Sequence, residues 1–389
     1  MNSEIKMRDE ELLLLELCRM EFSDEEILKI RSQTAAISDW DYFSSLANAH
    51  GIAALVYHNL EKHKFLFGIP ELVVTFLRGA LMRSLSRNAF NTESIGEVLE
   101  LLNKNSIKTV LLKGLALELT VYGNAGLRQM SDVDVLINRT QCMSARKILM
   151  DNGYISLPVK SIFHKLILAD TGKHLPSLIK GGTSVEIHHE LFGSKNNVLT
   201  RMLYDNSRLI ELKGQKVYIP QPQLFFLYLI RHLSSHEMNN ESQLRLYTDL
   251  VVLIGRHRDE IINYDLLTHA SEICMSETLA SHLEPLREYW GISFPGWVDE
   301  FIDKWHSPDS LKKFMFFLKS PKDNPPLDKA HVYRSIMKDI PGIHRKFVFL
   351  LGDIFPSLSF MKKRYNCKST WKVMFYYPHR IGKVLWLFR

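Results

Sequence analysis

Among the 389 residues there are only four cysteines, Cys18, Cys142, Cys274 and Cys367, and no two of them have metal-ligand spacing. That argues against a zinc module or a disulfide framework and makes reduced free thiols the expectation. No apolar run approaches the roughly 20 residues that span a bilayer. Glu4, Asp9, Glu10 and Glu11 interrupt any leading apolar segment, so no export signal is expected and the chain is assigned to the cytoplasm. Internal repeats and low-complexity tracts are also missing. What is present, 46% hydrophobic and 24% charged residues, suits a soluble globular protein. The length allows two or three packed units.

Net positive charge is scarce outside one region. Eight of the 49 basic residues lie after Asp353, where there is no acid, so the rest carries 41 bases against 43 acids. A near-neutral body disfavours long nucleic acid as a partner. The tail interleaves Lys362, Lys363, Arg364, Lys368, Lys372, Arg380, Lys383 and Arg389 with Trp371, Phe375, Tyr376, Tyr377, Trp386 and Phe388. Such a mixture could touch an anionic membrane surface or a polyanion. The favoured reading is that the aromatics close the core and the charges are solvated.

Patterning divides the chain into four stretches. Residues 1–104 read as helices: Ser23 and Glu26 stand at capping-box spacing, and Pro70 suits the first turn of a long helix reaching Asn103. Residues 105–192 read as a strand–helix–strand core. Strands are predicted over 107–112 and 132–137, with helices over 115–122 and 140–152. Gly181-Gly182 signals a hairpin between segments 175–180 and 183–189. Residues 193–320 read as helical, most strongly over 221–258. Residues 321–389 form the basic, aromatic tail, entered through an exposed connection marked by Ser320, Pro321, Asp323, Pro325 and Pro326.

The chemistry sits in the second stretch. If Ser131-Asp132-Val133-Asp134-Val135-Leu136-Ile137 is a strand, period-two alternation puts Asp132 and Asp134 on one face and the apolar residues on the other. The same alternation in Ser184-Val185-Glu186-Ile187-His188 turns Glu186 away from the core. Three acids on one sheet face repel each other unless a cation lies among them, and carboxylates are ligands of the kind magnesium takes. A metal pair can clamp both oxygens of a phosphoryl displacement. Lys113-Gly114 ends a preceding apolar run, where glycine allows close backbone approach. Arg128 precedes the acids where a charged substrate would need it.

This order of motifs resembles the uncharacterised bacterial nucleotidyltransferases of the polymerase-beta-like superfamily. The similarity extends to Asp39-Trp40 with Leu46–Ile52, to Arg231–His236, to Leu244–Leu250, and to Phe355–Leu358 with Arg364-Tyr365. It implies an α+β fold, a small mixed sheet with helices, flanked by helical amino- and carboxyl-terminal regions. It also implies an enzyme that moves a nucleoside monophosphate from a nucleoside triphosphate to an acceptor hydroxyl, with Mg2+ or Mn2+ and release of pyrophosphate. Asp132, Asp134 and Glu186 would be the catalytic, metal-holding acids. Lys113, Gly114, Arg128, Ser131, His188, His236, Arg245 and Asp249 would contact or support the nucleotide. The superfamily's common Gly-Ser or Gly-Gly turn is here Gly114-Leu115, which shifts the expected phosphate contacts to Lys113 and Arg128.

Plainer readings accompany these residues. His232 and His236, four apart, share a helix face but lack the Glu of a zincin and a third ligand nearby, so a structural or substrate-contacting role is favoured over zinc. Arg245 and Asp249, also four apart, could simply pair on a helix surface. Two rival functions remain, a non-catalytic scaffold that keeps the fold and a phosphotransferase that uses the same site. The acceptor, whether small molecule, glycan intermediate, peptide or protein, leaves no mark in the sequence.

Overall fold

The computed structural model describes residues 7–168, 172–192, 197–238, 243–319, 333–334, 337–338 and 340–386. Five helices come first: α1 (Asp9–Glu16), α2 (Asp24–Ala36), α3 (Trp40–Ala49), α4 (Ala53–Lys62) and α5 (Glu71–Lys104). The capping box forms as its spacing predicts. Glu26 N–H donates to Ser23 Oγ at 3.2 Å, and Ser23 N–H donates to the Glu26 carboxylate at 2.8 Å. With no proline after Pro70 to interrupt it, α5 runs unbroken for 34 residues.

The sheet follows. Its elements are β1 (Thr109–Leu111), α6 (Lys113–Leu117) running into a π-helical turn (Glu118–Tyr122), β2 (Val133–Ile137), α7 (Cys142–Asp151), β3 (Ile155–Ser156), α8 (Ile162–Leu166), β4 (Leu178–Lys180), β5 (Thr183–His188), α9 (Val198–Asp205), β6 (Arg208–Leu212) and β7 (Gln215–Ile219). The seven strands lie in the order β3-β4-β5-β2-β1-β7-β6. β2 pairs parallel with β5 and antiparallel with β1, while β1 and β7 are parallel. Gly181 and Gly182 both take positive φ in the β4–β5 turn, the backbone that a two-residue hairpin needs.

One part of the sequence reading is overturned. Residues 208–219, inside the stretch read as helical, form the β6–β7 hairpin. Its turn residues Lys213 and Gly214 have φ of 52° and 72°. The hairpin covers the outer edge of β1, which would otherwise present unpaired backbone groups.

Helices α10 (Pro222–Met238), α11 (Leu244–Ile261), α12 (Asp265–Glu272), α13 (Ser276–Trp290), α14 (Gly296–Trp305) and α15 (Ser310–Lys319) then pack on one another, with α10 against α9, α11 against the π-helical turn and α13 against α1. The run Leu224–Ile230 is buried on every side of α10, which explains its apolar character all round. Four further helices, Ile343–Ile354, Leu358–Arg364, Thr370–Met374 and Tyr376–Trp386, end the described chain. The predicted connection at Ser320, Pro321, Asp323, Pro325 and Pro326 lies outside the described residues, as do Phe388, Arg389 and the side chains of Lys383 and Trp386. The tail's aromatics do not all close the core. Trp371 and Phe375 are each 82% exposed, whereas Tyr365 stacks on Tyr376 at 4.3 Å.

Candidate active site

The site is built where β2 and β5 run parallel. In their register Asp134 lies opposite Glu186 and Leu136 opposite His188. Val133, Val135, Val185 and Ile187 alternate with them and are fully buried in the core. Asp134 is itself only 4% exposed. Its Oδ1 accepts from Lys113 Nζ at 2.6 Å and from His188 Nε2 at 2.7 Å. Burial alone would favour the neutral acid, but Lys113 and His188 outweigh it and hold this carboxyl far below the usual range. The Lys113 ammonium is stabilised in return, because Asp134 more than offsets its own burial.

Glu186 is partly exposed. It accepts from Ser177 Oγ at 3.0 Å and lies 3.6 Å from His188 and 4.0 Å from His174. The His188 ring at this distance pulls its carboxyl down despite burial. One ligand atom each of Asp134, Glu186 and His188 fall within 4.8 Å of one another. Asp132 is not in that group. It sits just ahead of β2, where Ser131 Oγ donates to it at 3.2 Å. Burial, then Asp134 and Glu186, push its carboxyl up. A crowd of carboxylates with one member's charge disfavoured is the situation a cation relieves. The donor set is rich in oxygen, which suits Mg2+ or Mn2+ better than zinc. His188 Nε2 is committed to Asp134 and its buried Nδ1 has no partner, so the ring serves first to aim that carboxylate.

Lys113 and Gly114 follow the apolar run and open α6, with Leu112 between them and the end of β1. Lys113 holds φ at +45°, in the left-handed region, and this turns its side chain to Asp134 across the strand pair. A Cβ on Gly114 would stand 2.8 Å from Arg128 Nη1 and 3.0 Å from Met130 Cβ, so only glycine fits beneath the arginine.

Arg128 is buried and donates from Nε and Nη2 to the two oxygens of Asp249, both at 2.8 Å. Tyr122 donates to the same carboxylate at 2.9 Å. Nη1 is left facing Gly114. A surface pair between Arg245 and Asp249 is therefore not what forms: Asp249 is fully buried against Arg128. Arg245 instead donates to the Gln129 carbonyl and, at 3.0 Å, to Gln243 Oε1.

A cleft of about 200 Å³ opens onto these groups, lined by Lys113, Gly114, Arg128, Asp132, Asp134 and Arg245 among others. His232 and His236, in T-shaped contact at 4.5 Å, form part of its wall. Burial and Lys113 hold His232 neutral. Ser131 stands exposed at the mouth. The structure thus brings Lys113, Asp134, Glu186 and His188 into contact and sets Arg128 with Asp249 as a buried support behind them. Sequence reasoning missed Ser177, His174 and Gln243. Ser177 and His174 reach Glu186 only because β4 and the segment before it fold onto β5, and neither carries a motif.

A mixed sheet with opposed acids on neighbouring strands and a Lys-Gly turn opening a helix defines the class, a nucleotidyltransferase fold. The chain belongs to the uncharacterised nucleotidyltransferase family, whose match covers residues 37–291. Among solved structures it is similar to an antigenic nucleotidyltransferase-like protein from Paracoccidioides brasiliensis, at 16% identity over 53% of this chain and 95% of that one, with a TM-score of 0.33. No curated protein matches it.

Proposed function

We propose that the chain transfers a nucleoside monophosphate from a nucleoside triphosphate to an acceptor hydroxyl. The observation that carries this reading is the pairing of Asp134 and Glu186 directly opposite each other on β2 and β5, beneath a cleft bordered by Lys113, Gly114 and Arg245. In the reaction the acceptor oxygen bonds to the α-phosphorus, the bond from that phosphorus to the bridging oxygen breaks, and pyrophosphate leaves with the electron pair. Asp134 and Glu186, with Asp132 at the rim, would hold Mg2+ or Mn2+, which supplies electrophilic activation and charge neutralisation when bound.

The protein's own groups do the rest. Lys113, Arg245 and the Nη1 of Arg128 put positive charge where the triphosphate's charge builds up, already oriented by their bonds to Asp134, Gln243 and Asp249. His188 and Ser177 fix the two carboxylates so that little reorientation is needed on binding. His236 and Ser131 line the cleft as nucleotide contacts. Gly114 lets the backbone of α6 approach the phosphates.

The test is calorimetric titration with each nucleoside triphosphate, with and without magnesium, for the wild type and Asp134→Asn. Magnesium-dependent binding of one triphosphate, reduced at least roughly a hundredfold in the variant, is expected. A nucleoside diphosphate as product, in place of pyrophosphate, would instead establish phosphoryl transfer. Absence of triphosphate binding by the folded wild type would favour a scaffold that kept the fold. The tail supports a separate proposal of peripheral contact with an anionic membrane, since Trp371 and Phe375 stand exposed beside Lys368 and Lys372. Co-sedimentation with phosphatidylserine vesicles, lost in Trp371→Ala/Phe375→Ala, tests it.

A further inference from the structure

Beside the cleft lies a second cavity of about 390 Å³, bounded by α3 and α4 on one side and α5 on another. It shares Met130, Ser131, Gln243 and Arg245 with the cleft, so the two are continuous. Among the described residues its lining holds three arginines, Arg83, Arg87 and Arg245, and no acid. Arg83 and Arg87 are four apart on α5 and therefore share a face. Arg245 reaches in from the opposite wall.

None of the three is neutralised by a carboxylate contact among the described residues. Arg87 donates to the Gly182 carbonyl at 3.3 Å. Arg245 donates to the neutral Gln129 carbonyl and Gln243 side chain, and its buried Nε has no partner. Burial, and then the neighbouring Arg128, push the half-buried Arg245 guanidinium down to about 10, with no carboxylate in contact with it among the described residues. Between Arg83 and Arg87 lies Ser84, 5% exposed, whose buried Oγ is also without a partner. The remaining wall is small, with Gly51, Ala53, Ala54 and Ala80, and it offers no aromatic face on which a base could stack.

Guanidinium groups with no carboxylate contact among the described residues, gathered around a polar cavity in a body with nearly balanced charge, mark an anion site, and planar N–H forks match phosphate oxygens. The volume suits a small molecule. We propose that this cavity binds the acceptor, and that the acceptor is a small molecule bearing a phosphate group, held by Arg83 and Arg87 with Arg245 on the border it shares with the donor's cleft, and with its hydroxyl turned towards the carboxylates. The assignment rests on the nucleotidyl-transfer reading, because without a donor in the cleft there is no acceptor to place.

The experiment titrates inorganic phosphate, as the probe, into wild-type protein and Arg83→Gln/Arg87→Gln. Each titration is run with and without saturating magnesium and the triphosphate that the protein binds, and circular dichroism confirms the fold. The expected result is phosphate binding that persists alongside the triphosphate and weakens at least roughly tenfold in the variant, with triphosphate affinity retained. Phosphate binding unchanged in the variant would overturn the proposal. Displacement of phosphate by the triphosphate would also overturn it, by showing that the cavity seats the donor's own phosphates. Arginine-dependent phosphate binding by a wild type that binds no triphosphate would leave an anion site and remove its role as acceptor pocket, with nucleotidyl transfer itself at fault.

Discussion

At the scale of single residues, the buried polar groups carry most of the testable content. His50 is fully buried at the end of α3. Its Nδ1 accepts from Leu244 N–H at 3.1 Å, and its Nε2 donates to the Leu318 carbonyl at 2.9 Å. One neutral tautomer satisfies both partners, whereas a proton on Nδ1 would set two N–H donors against each other. Burial accordingly pulls the ring down to about 4. A group whose folded value is depressed contributes stability that is present above its unfolded value and is lost as pH falls towards the folded one. Between about pH 6.5 and 4 the wild type should lose up to about 3 kcal/mol through this residue. Urea unfolding across that range should show a shallower pH slope in His50→Gln, and an identical slope would refute the assignment. The sequence marked His50 only through the family resemblance, since the pattern of its segment does not reveal partners near 244 and 318.

Between elements, the buried Arg128–Asp249 pair joins the segment before β2 to α11, and Tyr122 adds the π-helical turn after α6. The preceding loop is held as tightly. Gly126 has φ of +91° and lies so close to α5 that a Cβ would stand 2.8 Å from the Leu85 nitrogen, while Asn88 Nδ2 donates to the Arg128 carbonyl at 2.9 Å. Asp249→Ala leaves a buried guanidinium uncompensated and should destabilise the fold by about 3–5 kcal/mol, whereas Arg128→Met/Asp249→Leu should recover most of that loss. Denaturant unfolding of the three proteins measures both. A double variant no more stable than Asp249→Ala would refute the account. The i, i+4 spacing on α11 suggested a pair with Arg245, because spacing within a helix says nothing of a residue brought in from 121 positions away. The β6–β7 hairpin shows the opposite case. Lys213-Gly214 between Arg208–Leu212 and Gln215–Ile219 is a readable turn signal, masked by the strongly helical pattern that follows it.

Across the whole molecule, a polar cluster around Asp353 ties the carboxyl-terminal helices to the segment that holds α8. Asp353, 2% exposed, pairs with Lys160 ahead of α8 and with Arg380, and lies 3.8 Å from the His164 ring. Ser161 Oγ donates to the Phe355 carbonyl at 2.8 Å beside it, and Arg380 Nε to the Asp353 carbonyl at 2.7 Å. A Cβ on Gly352 would meet the His164 ring at 2.7 Å, so the two segments are in direct contact. Removing the acid leaves the Lys160 and Arg380 cations together without it, beside His164, which burial holds down at about 4, at a cost of roughly 3 kcal/mol. In Asp353→Ala, limited proteolysis should therefore cut within residues 340–386 well before it cuts the rest, and a wild-type cleavage pattern would refute this clamp. No helix among the described residues is long and apolar enough to cross a membrane.

The sequence by itself determined the class. Period-two alternation around Asp134 and Glu186, the Lys113-Gly114 turn, the Gly181-Gly182 hairpin and the Ser23 cap are local patterns, and local sterics and burial suffice to read them. Only the tertiary structure decided which acids meet. The parallel register of β2 and β5 sets Asp134 against Glu186 and brings His188 into their group, while Asp132 stays at the rim just ahead of β2. Only the tertiary structure, likewise, gave Asp249 to Arg128 and left Arg245 facing an arginine-lined cavity. Strand register and the partner of a buried charge are settled by packing between segments far apart in the chain, and no short window of sequence contains that information.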